Sequence, residues 1–178
     1  FGADPALVAR HVAAYTRGLQ GAGVAACAKH FPGHGDTATD SHLALPTITV
    51  DTGTLTAREL VPFAAAVQAG TLAVMTSHIM VPTLDTELPA TLSAPILGLL
   101  RDRFGFTGAI VSDALDMAGA SAGRGLAEAA VLALAAETRP VPEIIPEMSR
   151  VVAKEWDQKR YTSTQEQTWM LLAARAAQ

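Results

Sequence analysis

The sequence predicts an α/β protein built on a parallel sheet. Short apolar runs alternate with amphipathic helical stretches over residues 1–136, the pattern of repeated βα units. Three of those runs end on titratable residues: Lys29 and His30, then His78, then Asp113. In such folds the polar groups at strand C-termini form the site. The third sign is punctuation, because capping residues and glycines bound the helical stretches.

Each element has its own reason. Asp4 followed by Pro5 is an N-cap and a first-turn proline. Residues 6–20 then place Leu7, Val8, Val12, Tyr15 and Leu19 at helical spacing, and Gly21 and Gly23 end the helix. Residues 23–28 are a short apolar strand running into Lys29. Residues 45–50 are β-branched and apolar, but Pro46 demotes them to an edge strand or extended loop. A second helix over 56–68 carries Leu60, Phe63, Ala64 and Val67 on one face, and Gly70 closes it. Residues 71–79 form a buried strand, followed by a loop through Pro82 and Pro89. Ser93 caps a helix over 94–103, residues 107–112 form a third buried strand, and 127–136 a fourth helix.

The chain has 178 residues, 49% hydrophobic and 17% charged, enough for one domain with a core. Its net charge is −4 without a Lys/Arg cluster, so neither nucleic acid nor an anionic membrane surface is expected as a partner. No apolar run reaches the roughly 18–20 residues of a membrane span. Cys27 is the single cysteine, which excludes an internal disulfide; in its apolar run it reads as inert core. Phe1 is not a natural start, so the chain is expected to be a piece of a longer protein.

Most of the chemistry lies in residues 29–42, KHFPGHGDTATDSH. His42 stands two residues beyond Asp40. The carboxylate can hold one imidazole nitrogen while the other faces a substrate, an acid/base usable near neutral pH. An Asx-turn with an exposed histidine is the alternative. Lys29 and His30 are either hydrogen-bond donors to sugar hydroxyls or strand-end groups that merely solvate the sheet. Asp113, in a Ser-Asp-Ala turn, suits a nucleophile at an anomeric carbon or an N-cap. Pro32 and Gly33 forbid the helix that would align His30 and His34 on a metal, so no metal and no cofactor is expected. His78 reads as satisfied structure, and Asp36 and Asp116 as solvated or capping residues.

FGADP, KHFPGHGDTATDSH, Leu45-Pro46, MTSHI and VSDALDM together resemble glycoside hydrolase family 3, in its β-N-acetylhexosaminidase branch with a histidine acid/base. The likeness covers residues 1 to about 136. It implies a (β/α)8 TIM-barrel catalytic domain and a retaining, two-step, metal-free hydrolysis. By that resemblance Asp113 is the nucleophile, His42 the acid/base and Asp40 its orienting partner, while Lys29 and His30 bind N-acetylglucosamine. It further implies a small carbohydrate substrate, a muropeptide or chitooligosaccharide, and hence peptidoglycan recycling. A cytoplasmic location goes with that role, with an exported form as the alternative.

A barrel needs eight βα repeats and about 250 residues, whereas three strands are legible. The fold class expected is therefore α/β, a partial (β/α)8 barrel over 1–136 with an α-helical C-terminal tail over 137–178. Such a piece leaves sheet edges uncovered and is expected to be weakly stable and poorly active. Glu137-Thr-Arg-Pro stands where the family pattern continues into Gly-Ala-Asp. In the tail Trp169, Leu172 and Ala176 share a helical stripe, and Thr164 with Gln167 suggests a capping box. Residues 159–176 are similar to a helical stretch of bacterial α2-macroglobulins. Two rival functions follow. One is a β-N-acetylglucosaminide phosphorylase, since a histidine does not repel phosphate; the other is a non-enzymatic helical interaction module.

Overall fold

The computed structural model describes residues 1–121 and 123–137. Three strands, β1 (Cys27–Phe31), β2 (Ala73–Thr76) and β3 (Ala109–Ser112), pair in parallel in the order β1-β2-β3. Helix α1 (Pro5–Gly21) precedes the sheet. α2 (Thr52–Thr54), a π-helical turn at Leu55–Glu59 and α3 (Leu60–Gln68) return the chain from β1 to β2. α4 (Ala94–Gly98) with a second π turn at Leu99–Arg103 leads to β3, and α5 (Ala118–Ser121) and α6 (Leu126–Glu137) follow. This is the expected α/β arrangement. The expectations for residues 138–178, including the helical stripe and the capping box, lie outside the described residues.

The caps act as the sequence suggests. Asp4 Oδ1 accepts from the N–H groups of Ala6 and Leu7, and Ser93 Oγ accepts from Ile96 N–H. Asp51 supplies a cap that the hydrophobic pattern hides. Its Oδ1 accepts from Thr54 N–H at 2.8 Å, so the second helical stretch opens at residue 52, four positions before the start expected at residue 56. α5 was not foreseen, since four residues are too few to show a period.

Two boundaries moved. β1 was expected over 23–28 with Lys29 and His30 beyond it, but it runs on through Phe31. Ala28 pairs with Val74 and Phe31 with Thr76, so three steps along β1 face two along β2. That is a bulge at Lys29 and His30, a device that re-aims side chains at a rim. β2 is shorter than residues 71–79. Thr71 Oγ1 donates to the Ala26 carbonyl before the strand, and Ser77 Oγ donates to the Phe31 carbonyl after it. Residues 45–50 form no named strand and pair through one isolated parallel bridge, Thr47 to Met80, while Ile48 is buried in the core.

Phe31, Phe63, Val74, Ile79, Ile96 and Leu100 form the centre of the core and are buried. Phe31 meets Phe63 edge to face, with ring centroids 5.1 Å apart, a geometry favoured by the ring quadrupoles. α6 is apolar on most faces and buries Ala129, Val131 and residues 133–136, as a helix without a polar face must. Cys27 is corrected from core to surface: it is exposed, because β1 is an outer strand. Tyr15, Val24 and Leu72 are also exposed, so apolar surface around the β1 side is uncovered as expected.

Phe31 ties the strand that carries Lys29 and His30 to α3. Phe31→Ala is expected to cost about 3–5 kcal/mol, the range for emptying a buried aromatic site. The urea midpoint measures it, and a loss under about 1 kcal/mol would show that the ring does not anchor the strand.

Candidate active site

All five residues singled out from the sequence line one cleft of ≈ 460 Å³: Lys29, His30, Asp40, His42 and Asp113. The bulged end of β1 supplies the first two, the loop after it the dyad, and the turn after β3 the carboxylate. A larger cavity of ≈ 720 Å³ opens between α1 and α3 and shares Lys29, His30, His34 and Gly35 with the cleft.

Asp113 is held at both ends. Its N–H donates to the Thr76 carbonyl at 3.2 Å, which fixes the residue to the end of β2. Its Oδ1 accepts from Ala114 N–H at 2.8 Å, while Oδ2 lies 3.4 Å from His30 Nε2. The capping alternative is present only as a turn, because α5 begins five residues further on, at Ala118.

At His42 the two alternatives are one structure. Asp40 Oδ1 accepts the backbone N–H of His42 at 2.9 Å, which is an Asx-turn, and the ring Nδ1–H at 2.9 Å. With Nδ1 as donor, Nε2 is left for a substrate. These two bonds hold the Asp40 carboxyl below its ordinary value, the backbone N–H contributing most. Both side chains are exposed, 71% for His42 and 58% for Asp40, so water screens their attraction and the pair is worth little as stability.

The remaining histidines differ. Burial pushes His30 below the ordinary histidine value, opposed by the charge of Asp113. The charged form of the imidazole is therefore disfavoured at the His30–Asp113 contact. His78 is buried, as the satisfied-structure reading requires, and donates from Nε2 to the Ala114 carbonyl at 2.9 Å. Its Nδ1 has no hydrogen-bond partner among the described residues, and burial pushes its pKa down as well. Asp36 is exposed, as the solvated reading expects, and its Oδ2 also accepts from Arg58 Nη2 at 2.6 Å. Asp116 is exposed.

Sequence reasoning missed the supports of the loop. Gly33 has φ +136°, and a Cβ there would fall 2.9 Å from the Cβ of Glu59, so the π turn of Leu55–Glu59 lies directly over the loop. Gly119 is similarly closed in by His78 and by the Ser41 carbonyl, which accepts its N–H at 3.1 Å. A glycine in a polar loop is a visible signal, but the element packed against it is not.

Residues 1–139 match the family description "Glycosyl hydrolase family 3 N terminal domain". The chain belongs to glycosyl hydrolase family 3. It is similar to the β-hexosaminidase of Thiobacillus denitrificans, 43% identical over 129 residues, which is 72% of this chain and 36% of the relative. To the β-hexosaminidase of Methylococcus capsulatus it is 39% identical over 136 residues, 76% of this chain and 41% of the relative. Among solved structures, a family 3 β-N-acetylglucosaminidase from a Paenibacillus species aligns at TM-score 0.73 and 37% identity, covering 94% of this chain and 34% of that one. The β-N-acetylglucosaminidase of Thermotoga maritima aligns at TM-score 0.72 and 30% identity, covering 98% of this chain and 39% of that one. This family 3 chain thus spans less than half the length of these relatives, and it shares with them an α/β architecture with a parallel sheet.

His78 and His30 also set how stability depends on acid. Both are held below the ordinary value of 6.5, so below that pH the unfolded chain binds protons that the folded chain refuses. Their contribution is complete above 6.5 and falls away as the pH drops below it. The urea midpoint is expected to fall between about pH 7.5 and about 5.5, and His78→Gln, which keeps a donor for the Ala114 carbonyl, to flatten that fall. An undiminished slope in the variant would place the proton uptake elsewhere.

Proposed function

We propose that this chain carries the catalytic machinery of a retaining β-N-acetylglucosaminidase that removes terminal N-acetylglucosamine from muropeptides or chitooligosaccharides. One observation carries the reading. A carboxylate at a strand end and an imidazole whose Nδ1 is committed to a second carboxylate line the same cleft. The names of the relatives, β-hexosaminidases and β-N-acetylglucosaminidases, support it, and favour hydrolysis over phosphorolysis.

Asp113 attacks the anomeric carbon, and the bond to the aglycone oxygen breaks with its electron pair on that oxygen. His42, protonated on both nitrogens, gives the Nε2 proton to the departing oxygen. In the second step the neutral Nε2 takes a proton from water. The water oxygen bonds to the anomeric carbon and Asp113 leaves as carboxylate, so configuration is retained. Asp40 keeps Nδ1–H donating throughout and stabilises the imidazolium by a charge-assisted bond. Lys29 and His30, at the bulge beside Asp113, donate to the sugar hydroxyls and the acetamido group.

In this reading residues 1–136 are consecutive βα units of a larger (β/α)8 barrel, and 137–178 are a separate tail. The strand order β1-β2-β3 and the family match that ends at residue 139 support that division. A recycling role would place the protein in the cytoplasm.

Hydrolysis of a phenyl β-N-acetylglucosaminide provides the test. His42→Ala is expected to lower kcat/KM by about 10²–10⁴-fold, the usual worth of a general acid. Asp113→Asn is expected to abolish the covalent intermediate trapped with a 2-fluoro or mechanism-based sugar. Rates equal to wild type in Asp113→Asn would remove Asp113 from the reaction.

A further inference from the structure

The dyad is exposed, yet one acid/base nitrogen must point at one oxygen atom. Something has to hold residues 35–44 in place. Within that stretch only Thr37 and Ser41 are turned away from solvent, and Ser41 is buried. Both bind the same ring. His34 Nδ1 lies 3.0 Å from Thr37 Oγ1, and His34 Nε2 lies 3.1 Å from Ser41 Oγ.

The proton inventory fixes the directions. Thr37 Oγ1 donates its single hydrogen to the His34 carbonyl at 3.0 Å, so towards the ring it can only accept, and His34 Nδ1 is the donor. In the neutral ring Nε2 is then the acceptor, and Ser41 Oγ–H donates to it. Both ring nitrogens are thereby used inside the loop. His34 borders the cleft but has no free polar atom to offer a sugar.

Ser41 is also fixed from the other side. Its carbonyl accepts Gly119 N–H at 3.1 Å, and the space where a Cβ of Gly119 would sit is filled by His78 and by that same carbonyl. Ser41 stands between Asp40 and His42. The Asp40 carbonyl accepts Leu43 N–H at 3.0 Å and Ala44 N–H at 3.1 Å, a single turn that carries the His42 ring. Anchoring Ser41 therefore anchors the turn.

We propose that His34 is a positioning residue: its imidazole is an internal strut, bonded to Thr37 and Ser41, that holds the exposed Asp40–His42 turn over the cleft. The role given to His42 here rests on the function proposed above, whereas the strut itself does not.

Two near-isosteric changes each remove one end of the strut, Thr37→Val and Ser41→Ala, and Thr37→Ser keeps the hydroxyl. Amide hydrogen exchange of the chain, read by NMR at His42 and Leu43, is expected to quicken about five-fold in each deletion variant, the factor for one lost hydrogen bond. Thr37→Ser is expected to exchange as wild type. Unchanged exchange in Thr37→Val and Ser41→Ala would overturn the strut. The second arm uses aryl N-acetylglucosaminides with poor and good leaving groups. A misaimed acid is expected to cost about 10²-fold in kcat/KM for the poor leaving group and little for dinitrophenolate, which departs without a proton. Equal losses for both would show a general structural effect and overturn the positioning role. If His42→Ala leaves every rate unchanged, the reading of His42 fails, and exchange alone still decides the strut.

Discussion

Parallel pairing fixes where the polar groups of the cleft lie, because parallel strands all point their C-terminal ends the same way. Ala73 to Thr76 of β2 face Ala109 to Ser112 of β3 in unbroken register, so Asp113 follows directly onto the rim. It is stitched there by its N–H to the Thr76 carbonyl. On the other side the bulge in β1 admits two polar residues, Lys29 and His30, where strict alternation would have sent one of them to the core face. Phe31 then restores the inward direction and is completely buried. Three strands of four or five residues each suffice, because the core needs only one aromatic contact at that point to hold the register.

The histidines of this site show how environment sorts one side chain into several tasks. His78 is buried with a backbone acceptor for Nε2 and, among the described residues, no partner for Nδ1. Burial disfavours its charged form more than the charges of Asp113 and Asp116 favour it, so its role is structural. His30 is half-buried beside Asp113 and is pulled both ways, burial outweighing the carboxylate. His42 is out in water with its Nδ1 committed to Asp40, which leaves Nε2 for the acid/base role proposed above. The distinction depends on burial and partner, and no spacing rule in the sequence encodes either.

That difference marks what was legible. The helices with strong caps and clear periods, the parallel α/β class and the placing of Lys29, His30 and Asp113 at strand ends could be read, since each depends on local composition or on strand ends. That the loop brings Asp40 and His42 to the same cleft could not be read, because loop paths leave no period. The end of β1 could not. A bulge breaks the alternation on which strand boundaries are judged, and it took in Lys29 and His30. The burial of Cys27 was misjudged for a related reason: an apolar run shows that a strand is there, not which edge of the sheet it occupies. The Asp36–Arg58 pair was not legible because Arg58 lies 22 positions away on a helix whose π turn no propensity signals. Ser41 and Thr37 carry no signal of their own in the sequence, and only their inward direction distinguishes them.

The exposed dyad also shows why a reactive loop needs a buried support. A carboxylate–imidazole contact in water gains too little Coulomb energy to hold a ten-residue excursion against its conformational entropy. Burying the dyad would strengthen the contact but would disfavour the charged imidazole that the proposed acid role requires. The structure avoids that conflict by separating the two demands along the chain. Ser41 is buried and bonded on two sides, while its neighbours Asp40 and His42 remain in solvent, joined to it by only one peptide bond each. Order is supplied by a residue that takes no part in the proposed proton transfer, and the imidazole given that task keeps its hydration.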